Sequence, residues 1–517
     1  MRGAGLMNIV TRIRKLPIPL IYAVSTFNPR ILFVFGREQL VKFDWFLLMR
    51  NNFGLIYSKG ECTNEEIMMV YLKKCLGRKS NIFVTAHSSS VLRGGRLMRC
   101  GINRYGGLGV GDCKDRLTFE EVGVKNIVEV KGNEHYSFIR LGDGTVMSCG
   151  LNVYGQLGHG DYRGRERFTE VKGVGKDVEE IICRTFHVII RLRDGTLMVC
   201  GTHEPRELYR RRNNKTVFEE IRGIPKNVEK VMSGEHHIII KLADGRLMSC
   251  GANANGQLGL GDFVNREEFC EVKGIGRDVE AVACGNYHSV VRFKDGSLMS
   301  CGYNMQGQLG LGDMIQINVF TKINWLVGNI VEVYCRDFYT IIRFADGTLM
   351  TSYLNLLGPL CFVHNRSQSI FYEIKEIPKN IVEVIWSGSA IIIRLTDGTL
   401  MHCPTNYTLG SALWMANNKF LEIKGIGKNI AEVALSSTHI IVRFTDGRLM
   451  AYGINESGQL RLGHTEDRDV FEVIKKSKPD DEKRKRRLKR LLMVVGGVIA
   501  VGVVIKITRH GGVSDNK

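Results

Sequence analysis

The dipeptide Asp-Gly returns along this chain at nearly constant intervals, and this regularity constrains the fold more than any other feature of the sequence. Counted from a degraded first copy, Gly94-Gly95, the successive intervals are 49, 51, 50, 51, 51, 51 and 49 residues. The structural glycines that mark the repeat are Gly144, Gly195, Gly245, Gly296, Gly347, Gly398 and Gly447. A fixed period of this kind is typical of repeat architectures, in which each unit buries its apolar face only against its neighbours.

One period contains four short runs that favour extended structure. They are Glu268–Val272, Asp278–Val282, Ser289–Phe293 and Ser297–Cys301. Alternating or β-branched runs predict strands, and Asp295-Gly296 between the last two predicts a type I′ turn with positive φ at both central residues. Four antiparallel strands in every period, closed into a ring, make a β-propeller.

The repeat resembles that of the regulator of chromosome condensation family. The string Asp-Gly-x-Leu-Met-x-Cys-Gly-x-Asn-x-x-Gly-Gln-Leu-Gly-x-Gly-Asp is complete at 244–262 and 295–313, and at 143–161 Val146 replaces the leucine. A Gly-x-x-His motif precedes it, as at Gly285/His288. The resemblance covers about residues 81–474 and implies that this part of the chain is a β-propeller.

The predicted fold is therefore an all-β propeller of seven or eight four-stranded blades, with a mainly α-helical N-terminal region and a C-terminal single transmembrane helix. The family usually has seven blades, whereas strands of the Phe-x-Glu-Val type at 119, 168, 218, 269, 320, 371, 420 and 471 count eight. We expect the ring to close by strands from its two ends, Asn81–Val84 and Phe471–Val473, that share one blade.

Residues 1–80 lie outside the repeat. Glu38–Phe53 and Asn64–Leu76 are predicted to be helices, the second capped by Thr63 or Asn64. The simplest interpretation is a packing domain. A small helical domain before a propeller also loosely resembles an F-box adaptor layout, and the apolar run after Arg12 faintly resembles a secretory signal.

The composition changes abruptly after Val473. Residues 475–490 are a basic linker, 491–507 form a predicted transmembrane segment, and 508–517 are a short tail. Fifteen uncharged residues span about 22 Å, short of a hydrocarbon core of about 30 Å, so flanking basic residues must snorkel or the bilayer must thin. The predicted membrane-contacting residues are Leu491, Val494, Val495, Val498, Ile499, Val501, Val504 and Ile505.

The basic run 483–490 carries seven positive charges of a formal net charge of +19. Beside a membrane segment, such a flank is expected to stay in the cytosol, which would place the propeller there as well. The same run is also compatible with a nuclear localisation signal, and the apolar block with a peripheral packing segment. We expect a membrane contact through the C-terminal segment, and nucleic acid is not favoured as a partner.

No constellation of residues for catalysis, metal binding or cofactor binding is present in the sequence. His135, His187, His237, His288 and His439 recur once per repeat, which indicates a structural hydrogen bond. The cysteines also recur at fixed positions, with Cys149, Cys200, Cys250, Cys301 and Cys403 at one and Cys183, Cys284 and Cys335 at another, and are interpreted as buried free thiols.

Three copies lose the Gly-Gln-Leu-Gly-x-Gly-Asp turn, in the loops that begin at His203, Asn355 and Asn406. The first contains Arg210, Arg211 and Arg212, the candidate partner-binding residues for an acidic protein. Loops that lose structural glycines are either drifting or specialised for contact.

One branch of the resembled family exchanges nucleotide on the small GTPase Ran and carries a wedge-like hairpin inserted in a blade. The equal intervals of this chain leave no room for such an insertion. The sequence therefore favours a non-enzymatic protein-interaction module, tethered to a membrane by its C-terminal tail, with an unknown protein partner. The alternatives are a guanine-nucleotide exchange factor for a Ran-like GTPase and a substrate adaptor for ubiquitin ligation.

Overall fold

Eight four-stranded antiparallel sheets form most of the structure, a computed structural model that describes Ile13 and residues 16–35, 37–76, 81–202, 215–352, 370–375, 377–387, 390–403 and 420–474. The chain divides into two units, Met1–Val473 and Ile474–Lys517. The basic linker and every predicted membrane-contacting residue lie outside the described residues. Within the described ranges, no helix is long and apolar enough to cross a membrane.

The strands follow one another in chain order, four to a blade. Blade 1 comprises β1 (Ile82–Val84), β2 (Ser88–Arg93), β3 (Arg96–Gly101) and β4 (Arg116–Glu121); blade 2 comprises β5 (Ile127–Gly132), β6 (Tyr136–Leu141), β7 (Val146–Gly150) and β8 (Arg165–Glu170). Blade 3 comprises β9 (Val178–Cys183), β10 (His187–Leu192), β11 (Leu197–Gly201) and β12 (Lys215–Glu220); blade 4 comprises β13 (Val228–Ser233), β14 (His237–Leu242), β15 (Leu247–Gly251) and β16 (Arg266–Glu271).

The second half of the ring repeats this arrangement. Blade 5 comprises β17 (Val279–Cys284), β18 (His288–Phe293), β19 (Leu298–Gly302) and β20 (Ile317–Lys322); blade 6 comprises β21 (Ile330–Arg336), β22 (Tyr339–Phe344), β23 (Leu349–Ser352) and β24 (Tyr372–Glu373). Blade 7 comprises β25 (Ile381–Ser387), β26 (Ala390–Leu395), β27 (Leu400–Cys403) and β28 (Leu421–Glu422); blade 8 comprises β29 (Ile430–Leu435), β30 (His439–Phe444), β31 (Leu449–Gly453) and β32 (Arg468–Val473).

The first strand of each blade is the innermost. The contacts between β5 and β9, β13 and β17, β17 and β21, and β25 and β29 place the first strands of neighbouring blades side by side, and β29 meets β1 to close the ring. The predicted propeller of seven or eight four-stranded blades is confirmed, with eight blades, the number that the repeat count favoured.

Ring closure differs from the prediction, because no blade is shared between the two ends of the ring. Ile82–Val84 pairs with β2 of its own hairpin, so blade 1 is complete without a strand from the other end. Neighbouring whole blades are instead joined by side chains. Oε1 of Glu432 in blade 8 accepts hydrogen bonds from the backbone N–H groups of Asn81 at 2.9 Å and Ile82 at 3.1 Å.

The apolar core lies between adjacent blades. The second strand of a blade is covered on both sides by neighbouring sheets, so it reads as a continuous buried run rather than an alternating one. In β18, His288, Ser289, Val290 and Val291 are all 0% exposed. The fourth strand lies at the outer edge, and in blades 1 to 5 it buries only a central phenylalanine, which is Phe269 in β16.

The Asp-Gly turns also differ from the predicted type. Gly296 has φ +83°, but Asp295 does not have positive φ, so the turn is not type I′. The Gly296 N–H donates to Phe293 O and the Phe293 N–H to Ser297 O, which is the pattern of a three-residue hairpin loop ending in a left-handed glycine. The Asp295 carboxylate accepts from the Ser297 N–H at 2.9 Å and fixes the turn. Asp-Gly therefore supplies one left-handed residue and one side-chain acceptor.

The N-terminal region contains α1 (Ile18–Phe27), a 3₁₀ helix (Pro29–Val34), α2 (Arg37–Leu40), α3 (Trp45–Phe53) and α4 (Asn64–Leu76), packed around the fully buried Trp45. The helix predicted over Glu38–Phe53 is two helices, because the Asp44 side chain caps α3 through the Leu47 N–H at 3.0 Å. The predicted Asn64–Leu76 helix is confirmed, and Thr63 and Glu66 form a reciprocal capping box before it.

The propeller has two faces. We call the loop face the side that carries the loops between first and second strands and between third and fourth strands, and the turn face the side that carries the Asp-Gly turns and the connections between blades. The helical region contacts the turn face at blades 6 and 7. Ile56 N donates to Ala345 O at 2.7 Å, and Tyr57 OH donates to Ile381 O at 3.1 Å.

A buried polar cluster completes this docking. Arg343, only 1% exposed, donates to Glu332 at 2.9 Å and also contacts the Tyr57 hydroxyl, while Lys74 of α4 donates to the same carboxyl group at 3.0 Å. Burial alone would raise the pKa of Glu332, but Arg343, Lys74 and the Tyr334 hydroxyl together lower it to about 2. Glu332 is therefore ionised at neutral pH and links α4 to blade 6.

Candidate functional site

Arg210, Arg211 and Arg212 lie outside the described residues, as do the three degenerate loops at 203–214, 353–369 and 404–419. All three follow the third strand of a blade, so their anchoring strands end on the loop face. The role of the arginines stays a prediction.

Four of the five recurrent histidines are structural. His187, His237, His288 and His439 each begin the second strand of a blade and are at most 1% exposed. Nε2 of His288 lies 3.0 Å from the Thr340 hydroxyl of the next blade, and that hydroxyl donates to the Gln308 carbonyl at 2.9 Å. The hydrogen bond is thus shared between neighbouring blades.

The same link recurs elsewhere in the ring. His237 contacts Ser289 at 2.8 Å, and His439 contacts Ser89 at 2.7 Å, which joins blade 8 to blade 1. Burial lowers the pKa of His288 to about 4 and those of His237 and His439 to about 3. These imidazoles are therefore neutral at pH 7 and hold the blades together.

His135 was wrongly placed in this set. The residue that begins β6, and is equivalent to His288, is Tyr136. Tyr136 is fully buried, and its hydroxyl contacts the Arg184 carbonyl of the next blade. His135 comes one residue earlier, is half-buried, and packs its ring against Tyr105 at 5.5 Å.

The interpretation of the recurrent cysteines as buried free thiols is confirmed for the four described members of the first set, whereas Cys183, Cys284 and Cys335 of the second set are free but only partly buried. Cys149, Cys200, Cys250 and Cys301 are free thiols in the third strands and are at most 4% exposed. The Cys200 thiol donates to the Gln156 carbonyl at 3.1 Å. Burial raises the pKa of Cys149 to about 12, so this thiol stays protonated.

A cavity of about 610 Å³ opens at the centre of the loop face. Loops between the first and second strands of several blades form its wall, among them residues 83–86, 132–134, 183–185, 336–337 and 435–437. We call this space the axial cavity. Cavities of a few hundred Å³ are the size of ordinary ligand sites.

Five charged side chains line the axial cavity: Glu134, Arg184, Glu235, Arg336 and Asp337. None of them forms an ion pair with a described residue. The Arg184 guanidinium donates to the Ser233 carbonyl, and that of Arg336 donates to the Trp386 carbonyl at 3.0 Å. The Asp337 carboxylate accepts from the Asn286 side chain at 3.1 Å.

Aromatic and imidazole rings follow the loops between first and second strands. Each is the residue immediately before the second strand of a blade, in six consecutive blades, and all are half-buried. We call this set the aromatic collar: His87, His135, Phe186, His236, Tyr287 and Phe338. Tyr287 stacks on Phe338 with ring centres 5.5 Å apart, and His236 lies 5.8 Å from Tyr287. The collar was not predicted, although its period of about 51 residues is visible in the sequence.

Exposed apolar residues lie further out on the same face. They occupy the loops between third and fourth strands in blades 1, 2, 4 and 5: Tyr105, Tyr162, Phe263, Val264, Met305, Met314 and Ile315. Ile315 is 64% exposed and Val264 61%. In the described part of the chain, no three metal-ligating side chains come together. The loop face therefore offers charges, rings and apolar groups for binding.

Comparison with known proteins identifies the repeat. Two family models, both described as regulator of chromosome condensation (RCC1) repeat, match residues 244–292 and 279–308. Over 162 residues the chain is 32% identical to a Bos taurus protein named secretion-regulating guanine nucleotide exchange factor, covering 30% of this chain and 34% of that protein. Over 169 residues it is 28% identical to the Danio rerio protein named Protein RCC2 homolog, and the match covers 30% of this chain and 34% of that protein. The chain thus spans about a third of the length of these relatives.

Among solved structures, Prp20p from Saccharomyces cerevisiae, described together with its binding properties to Gsp1p and histones, matches with a TM-score of 0.48. The identity is 16%, and the match covers 77% of this chain and 91% of that chain.

Proposed function

Because the chain belongs to the regulator of chromosome condensation repeat family, we propose that it is a non-enzymatic protein-interaction module. The loop face of the propeller binds a protein partner, and the C-terminal segment tethers the module to a membrane on the cytosolic side.

The observation that carries the proposal is the set of five charged side chains around the axial cavity, none of them ion-paired with a described residue. Charged groups that line a surface cavity and have no ion pair within the protein are available to complementary charges of a binding partner. Exposed apolar residues around them add the hydrophobic contact area that protein interfaces use.

The turn face is a weaker candidate for the partner site. Blades 6 and 7 are already covered there by the helical region. Several charged residues of its hairpin turns are paired within the propeller, as Lys176 is with Asp143 at 2.9 Å. The loop face is therefore the side left for a partner.

Proximity labelling in cells, with the full chain fused to a labelling enzyme, tests the proposed face. The variant Ile315→Ser removes an exposed side chain of the loop face, and Val327→Ser, 86% exposed between β20 and β21, is the matched control on the turn face. We expect Ile315→Ser to reduce labelling of the main neighbours at least several-fold and Val327→Ser to leave it unchanged. Equal labelling by both variants would contradict the proposal.

The membrane tether has its own test. A fluorescent fusion of the full chain should localise to membranes, and the same fusion ending at Lys478 should become diffuse. Unchanged localisation after the truncation would refute the tether, and nuclear accumulation of the full chain would favour the nuclear alternative.

A second candidate, guanine-nucleotide exchange on a Ran-like small GTPase, is supported by the name of the Bos taurus relative. Its test is the release of labelled GDP from purified small GTPases, measured with and without the full chain. If the full chain accelerates GDP release from any GTPase of the panel, the protein is an exchange factor and not only an interaction module. The adaptor role of residues 1–80 stays a prediction.

A further inference from the structure

We propose that the axial cavity receives a lysine or arginine side chain presented by the partner protein, an inference that rests on the proposed function and names the chemistry of its site. Three observations support it: the unused acceptors of the carboxylates, the occupation of the arginines by backbone carbonyls, and the aromatic collar.

The carboxylates of the axial cavity have acceptor capacity to spare. Glu134 and Glu235 make no side-chain hydrogen bond to a described residue, and Asp337 accepts a single one, from Asn286. They come from blades 2, 4 and 6, so they face the axis from different sides. Such groups favour a cation that donates several hydrogen bonds.

The two arginines do not supply that cation. Arg184 donates to the Ser233 carbonyl and Arg336 to the Trp386 carbonyl, so one donor of each is committed to backbone, and Arg184 attracts Glu235 without forming an ion pair with it. Three carboxylates against two such guanidiniums leave the cavity acidic on balance. An acidic side chain entering it would meet Glu134, Glu235 and Asp337 at close range, which is unfavourable.

The collar adds a second attraction for a cation. The faces of tyrosine and phenylalanine rings carry negative charge density, and lysine and especially arginine pack over them. His236 does not oppose this, because burial lowers the pKa of its imidazole and keeps it neutral at pH 7. Phe338 directly follows Asp337, which lines the cavity, and stacks on Tyr287 of the neighbouring blade.

Ligand-observed NMR with the purified full chain tests the inference. The probes are four Gly/Ser nonapeptides that differ only in a central arginine, lysine, citrulline or glutamate. We expect the arginine and lysine peptides to bind and the citrulline peptide, which keeps the shape without the charge, to bind at least ten-fold more weakly. Equal binding of citrulline and arginine peptides, or preferential binding of the glutamate peptide, would overturn the proposal.

Variants localise the effect to the cavity. Glu235→Gln should weaken arginine-peptide binding about ten-fold, whereas Glu268→Gln, on the outer strand of the same blade, should leave it unchanged. Glu235→Lys should abolish arginine-peptide binding and allow the glutamate peptide to bind, a gain that a misfolded protein would not show. Indistinguishable binding by Glu235→Gln and Glu268→Gln would refute the site.

The two proposals fail separately. If Ile315→Ser reduces proximity labelling but the basic peptides do not bind, the loop face is an interaction surface and only the chemistry of the cavity is wrong. If Ile315→Ser leaves labelling unchanged, the proposed function fails whatever the peptides do.

Discussion

On the turn face, charged side chains pair with one another, as Lys379 does with Asp346 and Arg246 with Asp244. On the loop face, Glu134, Arg184, Glu235, Arg336 and Asp337 surround one cavity without an ion pair among the described residues. Both faces are built from the same repeat. Further out on the loop face charged side chains also pair, as Arg165 does with Asp161 at 2.8 Å, so the difference lies between the turn face and the axial cavity. It indicates that the turn face holds the propeller and its helical region together, whereas the cavity keeps its charges for a partner.

The largest difference in stability between the two faces is expected within one hairpin, β21–β22, which has an arginine at each end. Arg343→Met at its turn-face end would leave Glu332 in a mostly buried site without its main partner, and should lower the free energy of unfolding by about 4 kcal/mol. Arg336→Met at the loop-face end, where the arginine is exposed, should cost less than about 1 kcal/mol. Urea denaturation of both variants at pH 7 measures the difference.

The Arg343 effect should also depend on pH. The pKa of Glu332 is lowered to about 2 in the folded protein, below that of an unfolded glutamate, so its contribution is present at pH 7 and is lost as pH falls from about 4.3 towards 2. Equal losses for Arg343→Met and Arg336→Met at pH 7 would contradict the assignment of the two faces.

The buried histidines at the loop-face ends of the second strands give the next effect. The pKa of His288 is about 4 in the folded protein and about 6.5 when unfolded, so the unfolded state binds more protons between these values. Its contribution to stability is therefore complete above pH 6.5 and decreases by about 3 kcal/mol as pH falls to 4.

The variant His288→Tyr tests this because Tyr136 and Tyr339 occupy the equivalent position in blades 2 and 6. A tyrosine does not titrate in this range, so the fall in unfolding free energy between pH 7 and pH 4.5 should be about 2 kcal/mol smaller than in the wild type. An unchanged pH dependence would show that His288 is not the titrating group.

The register of these strands explains what the sequence could and could not predict. The period and the four strands follow from apolar runs and turn residues alone, whereas the number of blades stayed open between seven and eight. Whether His135 or Tyr136 points into the core depends on a one-residue shift, and in a strand such a shift moves every side chain to the opposite face. The collar residues therefore became recognisable only once β6 and β18 were placed in register.

Ring closure was missed for a related reason. Ile82–Val84 is a strand of three residues, and its sequence favours extended structure without specifying a partner. In the structure it pairs with Ser89–Val91 in its own hairpin, and the carboxylate of Glu432 fills the role that a shared blade would have had. A contact across 350 residues leaves no periodic trace in the sequence.

A glycine pair tests how tightly the turn face is packed. Gly245 and Gly447 hold equivalent turns with φ +88° and +82°, but an added Cβ would lie 2.1 Å from the Arg277 carbonyl oxygen at Gly245 and would meet nothing within 4 Å at Gly447. Gly447→Ala should cost about 1 kcal/mol through its left-handed backbone alone. Gly245→Ala should cost about 2 kcal/mol more, because the backbone at Arg277 must move away from the added Cβ. Thermal unfolding of the two variants checks the order.

The smallest loss of stability is expected for a Glu→Gln substitution at the axial cavity. A Glu→Gln substitution at the ring closure serves as the comparison. Glu432→Gln weakens the clamp between blades 8 and 1, where the carboxylate binds Arg443 and two backbone N–H groups, and should cost about 2 kcal/mol. Glu235→Gln removes a charge that has no ion pair with a described residue, so the free energy of unfolding should change by less than about 0.5 kcal/mol. Urea denaturation measures both. A loss at Glu235→Gln equal to that at Glu432→Gln would mean that the loop-face carboxylate serves stability, and the contrast between the two faces would not hold.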